Sequence, residues 1–388
     1  MTKRTLFLVV LVVAAAVVPF GAQAHARAVK ASSYPVTFTV QNVNRSQVPC
    51  ATDGATYKIR GHVTGPRAAL AKPFRKVRKP AVTLYLHGLG LGEWFWTFRG
   101  LSSRTVPPGV PVDLTKHPVI SGYDYATAQA KGGHFSITID RLGYGASDYL
   151  DGKRICLGSQ ADIAHQIVQA LRSGSYQTTG SRALRYKKVA IAGHSIGAEI
   201  AMIEAYSFRD VDNLIVASFS AQNQPRAQLA LGPTRDACLK GGQAPFSLPP
   251  GSPPPQPLGG PPSGYAPYGT GTPADFQAVM FRSAKKQVRD AGTSLRSLDP
   301  CGDTDSIIPA LLQQQAQVAK VKVPVLVICG RKDALFAPLG CEIQSERFRN
   351  SRRVRLELVP NAGHAITLEA SAPTFRRKVG RWLSRYGF

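Results

Sequence analysis

The sequence predicts an α/β fold with a mostly parallel central sheet, helices on both of its faces and an inserted lid. Short apolar segments that end in turn residues alternate with segments of helical periodicity, which is typical of parallel sheets. Before them, segments 35–43 and 57–63 alternate apolar and polar residues and predict an antiparallel pair at an edge of the sheet. The chain has 388 residues, a length that α/β folds with one large core and an insertion reach.

Each buried strand is predicted where a short apolar run meets a turn, and each helix where apolar residues recur every three or four positions. The predicted strands are 81–86, 134–140, 188–192, 213–219, 323–329 and 354–359. The predicted helices are 160–171, 197–207, 339–348 and 372–386. We therefore expect the core of the fold to comprise residues 25–220 and 323–388.

Residues 221–322 interrupt this alternation. Within them, 245–273 are dense in Pro and Gly, so this part supplies few ladder hydrogen bonds and has little to bury. We interpret it as an extended or disordered loop in a lid insertion, with helices near 274–291 and 306–321. A surface loop without a role is the alternative, both for the Pro-rich part and for the whole insertion.

The first 24 residues have the pattern of a secretory signal peptide. Lys3 and Arg4 precede an uncharged apolar stretch over 5–20, and an A-x-A cleavage pattern ends at Ala24. The apolar stretch is shorter than the ~20 residues of a membrane span, so no stable span is expected after cleavage. The sequence therefore predicts a secreted protein cut after Ala24.

The chain is strongly basic, with 48 Lys and Arg against 23 Asp and Glu and a formal net charge of +25. Removing 1–24, which takes away Lys3 and Arg4 and no acid, leaves +23. The charge favours a solvated basic surface, with contact to an anionic cell envelope as the alternative. Nucleic acid is not an expected partner, because no aromatic residues are interleaved with the charge and no known module is present.

Six cysteines in a chain predicted to be exported suggest disulfides, although the sequence does not choose among the possible pairings. Cys238 and Cys301 bracket the Pro-rich stretch, and Cys329 and Cys341 flank a loop after a predicted strand, so both pairs are candidates. The chain has no C-x-x-C and no H-E-x-x-H, and its eight histidines are scattered. We therefore expect neither a metal nor another cofactor.

Ser195 lies in the pentapeptide 193–197 (GHSIG), between a predicted strand and a predicted helix. A G-x-S-x-G match alone is a weak signal, but at this junction flanking glycines allow a tight turn that exposes the serine hydroxyl beside helix N–H groups. Ser195 is therefore a candidate nucleophile. The alternative is an ordinary helix N-cap.

A serine hydroxyl needs a neutral imidazole as base, and the imidazole needs a carboxylate to hold it. Asp333 and His364 each follow a predicted strand, and loops at the carboxyl ends of parallel strands meet at one edge of the sheet. The chain order Ser195, Asp333, His364 is the order expected for one known arrangement of this triad. A turn aspartate and a surface histidine are the alternatives.

Apart from the insertion, the chain from about residue 57 to 385 resembles the α/β-hydrolase superfamily, specifically its secreted serine esterases and lipases. The motifs that carry the resemblance are 87–90 (HGLG), 140–147 (DRLGYGAS), 193–197 (GHSIG), 330–333 (GRKD) and 363–364 (GH). The resemblance implies a catalytic triad of Ser195, Asp333 and His364 without a cofactor. It also implies an oxyanion hole formed by the backbone N–H groups of Leu89 and Ile196.

Trp94, Phe95 and Trp96 follow the first of these motifs, and they are interpreted either as the wall of an apolar substrate pocket or as core packing. Together the residues predict a secreted serine hydrolase that cleaves a small ester or lipid substrate through an acyl-enzyme. A peptidase, a lactonase, an acyltransferase or a cofactor-free haloperoxidase would use the same residues. A non-catalytic module that binds the cell envelope is the alternative from another functional class.

Overall fold

A single large sheet organises the fold in the computed structural model, which describes residues 29–78, 80–101, 118–221, 225–242 and 263–388. The strands of this sheet are β1 Ala31–Gln41, β2 Thr56–Pro66, β3 Ala81–Leu86, β4 Ser136–Ile139, β5 Gln177–Thr178, β6 Lys188–His194, β7 Asn213–Ala217, β10 Val325–Gly330 and β11 Val354–Val359. A separate antiparallel pair consists of β8 Tyr265–Pro267 and β9 Leu298–Pro300.

The order across the large sheet is β11-β10-β7-β6-β3-β4-β2-β1-β5. The strands from β11 to β4 are parallel to their neighbours, whereas β2, β1 and β5 are antiparallel, as predicted for the edge. The parallel strands β3, β7 and β10 are buried along their whole length, whereas β1 alternates between buried and more exposed residues. Because β3, β7 and β10 are buried on both faces, their sequences are nearly continuous apolar runs, whereas the sequence of β1 alternates.

Helices flank the sheet in two groups. The helices are α1 Arg67–Leu70, α2 Trp94–Thr97, α3 Tyr125–Lys131, α4 Leu157–Ser173, α5 Ile196–Ser207, α6 Pro225–Leu239, α7 Pro273–Met280, α8 Lys286–Ser294, α9 Cys301–Asp305, α10 Ile307–Gln317, α11 Gly340–Glu346 and α12 Ala372–Arg385. Helices α4, α5 and α10 pack together, and α3 packs with α2 and α12. None of the described helices combines the length and the apolar character needed to cross a membrane.

The register of the parallel strands aligns their carboxyl ends. Leu86 of β3 pairs with Gly193 of β6, and Ala217 of β7 lies opposite both His194 of β6 and Ile328 of β10. The loops that follow β3, β6, β10 and β11 therefore open at one edge of the sheet. This edge is where the candidate catalytic residues were predicted to meet.

The inserted segment is more structured than its composition predicts. The predicted helix 274–291 is divided into α7 and α8, because the backbone N–H groups of Arg282 and Ser283 donate to the Glu369 carboxylate instead of continuing a helix. The predicted helix 306–321 corresponds to α10 and a 3₁₀ turn over Val318–Lys320. Helix α6 was not predicted, because Pro233 lies inside it and lowers its helical propensity.

The loop prediction for 245–273 is wrong for its last residues. Strand β8 lies there and pairs with β9, and Tyr265 and Tyr268 are buried, so this part does have apolar surface to cover. Residues 243–262, and with them most of the Pro-rich stretch, lie outside the described part of the chain, as does the predicted signal peptide 1–24. Movement of the insertion as a lid stays a prediction.

Three disulfides connect the six cysteines. Cys238–Cys301 and Cys329–Cys341 are the two pairs expected from the sequence, and both are confirmed. The third, Cys50–Cys156, joins the loop after β1 to the residue before α4. The Cys238–Cys301 bridge joins the end of α6 to the start of α9 within the insertion.

Candidate active site

Ser195 stands in a strained backbone conformation between β6 and α5. Its φ of 54° and ψ of −128° lie outside the regions that residues with a side chain normally adopt. A Cβ on Gly193 would lie 2.0 Å from the carbonyl oxygen of Gly197, and a Cβ on Gly197 would lie 2.5 Å from the carbonyl oxygens of Leu86 and His87. Both positions therefore need glycine, and the turn leaves Ser195 less buried than its neighbours.

Asp333 and His364 form a buried hydrogen-bonded pair. The Nδ1–H of His364 donates to Oδ2 of Asp333 across 3.0 Å, and the two residues are 0% and 2% exposed, respectively. The other carboxylate oxygen of Asp333 accepts the backbone N–H groups of Leu335 at 2.9 Å and Phe336 at 3.3 Å. These bonds fix the carboxylate, so the imidazole keeps one tautomer and one orientation.

The second ring nitrogen of His364, Nε2, is buried and has no hydrogen-bond partner among the described residues. An imidazole whose Nδ1 carries the proton has a free lone pair at this nitrogen. Because buried polar atoms are normally satisfied, an unpartnered nitrogen of this kind calls for an explanation. The arrangement suits a base that awaits a proton.

His194 links the serine turn to the loop of His364. The Nε2–H of His194 donates to the carbonyl oxygen of His364 at 2.8 Å, and the centroids of the two rings are 4.7 Å apart. Burial, and secondarily the nearby His364, hold the pKa of His194 well below its usual value, so His194 is a neutral structural donor. The residue that directly precedes Ser195 therefore contacts the candidate base.

The predicted oxyanion donors lie beside this turn. Ile196 is the first residue of α5, so its N–H has no acceptor within the helix. The N–H of Leu89 likewise has no hydrogen-bond partner in the part of the chain that the structure describes. The loop of Leu89 is next to the nucleophile, because a Cβ on Gly88 would be 2.9 Å from the Cβ of Ser195.

Asp299 of the insertion was not predicted as a site residue, yet it holds the loop of Leu89. Its Oδ1 accepts the backbone N–H of Gly90 at 2.6 Å and the hydroxyl of Tyr144 at 3.1 Å. Burial raises the pKa of Asp299 to about 7. The same Tyr144 hydroxyl lies 3.0 Å from Oδ2 of Asp303, so its one proton serves either carboxylate in turn, and Asp303 is paired with buried Arg141 at 2.7 Å. The motif 140–147 thus connects the core to the insertion, which is a role that its local sequence does not reveal.

Glu369 is a second residue that the sequence analysis missed. Its fully buried carboxylate accepts the N–H of Gly363 at 3.1 Å, directly before His364, and those of Arg282 and Ser283 at 2.7 and 2.6 Å. One carboxylate therefore ties the histidine loop to the segment between α7 and α8. Nothing in the local sequence marks Glu369, because its partners Arg282 and Ser283 lie 87 and 86 positions away.

The interpretation of Phe95 and Trp96 as a pocket wall is wrong, and core packing is the correct reading. Phe95 is 0% exposed and packs on the His194 ring at 4.3 Å, and Trp96 is 1% exposed and packs on Tyr85 at 5.0 Å. Side chains with so little exposure border no space that admits water. Trp94 is also buried, with its ring centroid 6.1 Å from that of Phe98, so all three aromatic side chains belong to the hydrophobic core.

The other residues of the motifs have structural partners. His87 accepts the N–H of Arg141 at 3.1 Å on Nε2 and donates from Nδ1 to the carbonyl of Gly88 at 2.9 Å. Among the described residues, the His and carboxylate side chains close enough together to ligate a metal are those of His165, Glu204 and Asp210. Glu204 follows Ser195 by nine residues of helix, which is ~14 Å along α5, so this cluster is separate from the candidate active site.

Comparison with known proteins agrees with this architecture. The model of the alpha/beta hydrolase family matches residues 84–377, which is more than half of the chain. A putative 2-succinyl-6-hydroxy-2,4-cyclohexadiene-1-carboxylate synthase of Bacillus subtilis (strain 168) is 26% identical over 244 residues, which cover 60% of this chain and 75% of the relative.

Among solved structures, a thermophilic esterase from Thermogutta terrifontis matches with a TM-score of 0.55 and 15% identity, over 90% of this chain and 100% of the esterase. A hydrolase from Pseudomonas aeruginosa PA01 matches with a TM-score of 0.54 and 19% identity, over 88% of this chain and 97% of that structure. At these identities the solved structures establish the fold and no more. With the matched family model, they lead to the conclusion that this chain belongs to the alpha/beta hydrolase family.

Proposed function

We propose that this protein is a secreted serine hydrolase that cleaves carboxylic esters through an acyl-enzyme. Membership of the alpha/beta hydrolase family supports a hydrolase in general. The observation that carries the narrower proposal is the buried Asp333–His364 hydrogen bond, which leaves Nε2 of His364 without a partner at the sheet edge of Ser195.

The triad would work by proton transfer from serine to imidazole. Asp333 holds the proton of His364 on Nδ1, so Nε2 accepts the proton of the Ser195 hydroxyl as its oxygen attacks the ester carbonyl. The carboxylate then stabilises the imidazolium that forms. His364 gives the proton to the leaving alcohol, which leaves the acyl group on Ser195. Water then attacks the acyl-enzyme while His364 takes its proton, and His364 returns that proton to the oxygen of Ser195 as the acid is released.

The backbone N–H groups of Leu89 and Ile196 would stabilise the negative oxygen of the tetrahedral intermediate. Both lie beside Ser195 without protein acceptors among the described residues, so no internal bond competes with the substrate oxygen. Loss of one such donor typically raises the barrier by about 3 kcal/mol. Because main-chain groups are involved, a displaced backbone should matter more than a changed side chain.

Two features support catalysis over a non-catalytic envelope-binding module. A non-glycine residue at the φ of Ser195 costs about 1–3 kcal/mol, and strain of this kind is concentrated at functional sites. The Asp333 carboxylate and the His364 imidazole retain the geometry of a working pair.

The disulfides support the export that the signal peptide predicts, because such bonds are typical of oxidising compartments.

The proposal is tested by labelling the mature protein with a fluorophosphonate probe and by measuring turnover of short p-nitrophenyl esters. Ser195→Ala should abolish both signals, whereas the control Ser207→Ala, at the far end of the helix that follows Ser195, should keep them. Asp333→Asn should lower kcat by about 10⁴-fold, because the imidazole loses its correct tautomer. Labelling that survives Ser195→Ala rejects the nucleophile.

A panel of esters, amides, lactones and acyl acceptors separates the remaining chemistries that the same residues would serve. Faster turnover of an amide, a lactone or an acyl acceptor than of every simple ester would replace ester hydrolysis with that reaction. An unlabelled wild-type protein that binds anionic envelopes in a salt-sensitive manner would favour the binding module instead.

A further inference from the structure

A cluster of three possible metal ligands lies where α4 packs on α5. His165 comes from α4, Glu204 from α5 and Asp210 from the segment between α5 and β7. One ligand atom of each residue lies within 4.8 Å of the others. The Nδ1 of His165 is 2.8 Å from Oδ2 of Asp210, which is a hydrogen-bond distance, so a bound ion would replace this hydrogen bond with one metal–ligand bond to each residue.

Glu204 is the informative member of this cluster. Its side chain is 0% exposed, and apart from the carboxyl group of Asp210 neither of its oxygens has a hydrogen-bond partner in the described part of the chain. Likewise, Oδ1 of Asp210 has no partner there other than the carboxyl group of Glu204. Burial, and secondarily the neighbouring Asp210, raise the pKa of Glu204 well above its usual value. Two carboxyl groups in this arrangement need either a cation or a shared proton between them.

We propose that His165, Glu204 and Asp210 form a binding site for a divalent transition-metal ion, for which Zn²⁺ is the best candidate. One imidazole nitrogen with two carboxylate oxygens is a zinc ligand set, whereas calcium and magnesium prefer oxygen ligands alone. The side chains of His165 and Asp210 are 20% and 18% exposed, so water reaches the site to complete the coordination.

The surroundings hold the ligands in place. The ring of His165 stacks on Phe208 with centroids 4.1 Å apart and planes 12° from parallel. Gln169 donates to Oδ2 of Asp210 and orients that carboxylate. The nearby guanidinium of Arg172 is paired with Asp212 at 2.8 Å, which offsets its repulsion of a cation.

The bound ion would serve structure and not the chemistry of Ser195. It would tie α4 and the segment that leads into β7 to α5, the helix that begins directly after the candidate nucleophile. The expected signature is therefore a stability that depends on the metal, without a requirement for metal in catalysis. This inference is independent of the proposed ester hydrolysis.

The test uses the full chain, first dialysed against a chelator and then titrated with Zn²⁺ alone in phosphate-free buffer at neutral pH. Calorimetry should report one tight site per chain, and the Tm should rise with Zn²⁺ concentration. Glu204→Gln and His165→Gln should each weaken binding more than about 100-fold, since a lost ligand costs more than a lost outer-shell partner. The control His62→Gln changes a histidine that pairs with Glu93 at 2.9 Å and should bind like the wild type.

Glu204→Gln also distinguishes a bound ion from a shared proton between the two carboxyl groups. The side-chain amide of the Glu204→Gln variant can donate a hydrogen bond to Asp210 with neither an ion nor a shared proton present. A wild type that gives no heat and no Tm shift with Zn²⁺ overturns the metal site. So does a Glu204→Gln protein that is as stable as the wild type and responds equally to Zn²⁺. If Glu204→Gln fails to fold, His165→Gln, at a partly exposed position, decides the question by the same two measurements.

Discussion

Gly90 donates its backbone N–H to Oδ1 of Asp299 at 2.6 Å, although the two residues are 209 positions apart in the sequence. Leu89, the proposed oxyanion donor, directly precedes Gly90. The bond therefore anchors the loop of Leu89 to the insertion. The Asp299 carboxylate that accepts it is buried and has few other partners. We infer that the insertion helps to position the oxyanion hole, in addition to any role as a lid.

Asp299→Ala should therefore lower kcat for p-nitrophenyl esters with little change in KM. The unsupported loop would move the N–H of Leu89, and loss of a whole oxyanion donor costs about 10²–10³-fold in kcat. Asp299→Asn keeps an oxygen for the Gly90 N–H, and it should recover most of the rate. Steady-state kinetics and the rate of fluorophosphonate labelling measure the effect.

The control for this prediction is Asp305→Asn, which changes an exposed acid in the same insertion. It should leave both rates unchanged. If Asp299→Ala lowers the Tm but reacts with the probe at the wild-type rate, Asp299 is structural only. The positioning role would then be rejected, while the assignment of Ser195 would be unaffected.

The pH dependence of stability should carry a contribution from Glu199 of α5. Burial raises its pKa from the usual 4.5 to about 8 in the folded protein. The folded state thus holds a proton that the unfolded state loses above pH ~4.5, so the contribution of Glu199 is complete at low pH. It is lost as the pH rises through about 8.

Glu199→Gln imitates the protonated side chain and should flatten the fall in stability between pH 5 and 8. Urea unfolding at several pH values measures this slope, with Glu346→Gln, at an exposed position, as the control. Asp299, with its pKa raised to about 7, adds a slope of the same sign in both proteins. An unchanged slope in Glu199→Gln would show that this group ionises normally in the folded chain.

The sequence predicted the candidate triad because each member sits in a short segment whose geometry is local. The turn at Ser195 needs glycines two residues away on either side, and Asp333 and His364 each follow a strand with its own apolar pattern. Asp299 and Glu369 act across long sequence separations through single carboxylates, and no local pattern marks such contacts. The edge strands β1 and β2 were predictable for the same local reason as the triad.

The elements that were missed are those in which tertiary contacts override local preference. Helix α6 forms although it contains Pro233, and its end is held by the Cys238–Cys301 disulfide. The break between α7 and α8 is caused by Glu369, from a distant part of the chain. The aromatic residues at 94–96 could face a pocket or the core with the same sequence, and only the packing of Phe95 and Trp96 decides between the two.

The disulfides should stabilise the fold unequally. Cys50–Cys156 closes a loop with a sequence separation of 106, whereas Cys329–Cys341 closes one of 12, at similar Cα distances of 6.3 and 6.4 Å. The chain-entropy model then predicts losses of about 5 and about 3 kcal/mol when the respective pair is replaced by alanine. Urea unfolding without reductant measures both losses. A larger loss for the short loop would contradict the chain-entropy account of these bridges.

Gly197→Ala should both destabilise the protein and abolish esterase activity. The φ of Gly197 is not positive, so the penalty comes from its added Cβ, which would lie 2.5 Å from the carbonyl oxygens of Leu86, at the end of β3, and of His87, in the loop that follows. Backbone atoms cannot give way without moving either that loop or the turn of Ser195. Overpacking of this kind costs about 1–3 kcal/mol or more, and it displaces both proposed oxyanion donors.

Gly122→Ala separates this steric effect from backbone strain. Gly122 has a φ of +90°, but a Cβ there would meet nothing within 4 Å. Gly122→Ala should lower the free energy of unfolding by about 1–2 kcal/mol, because alanine disfavours the left-handed conformation, and should leave kcat unchanged. Thermal unfolding and ester turnover of the two variants give the comparison. Equal kcat values in Gly197→Ala and Gly122→Ala would mean that α5 tolerates displacement at its first turn, and the proposed role of the Ile196 N–H would have to be abandoned.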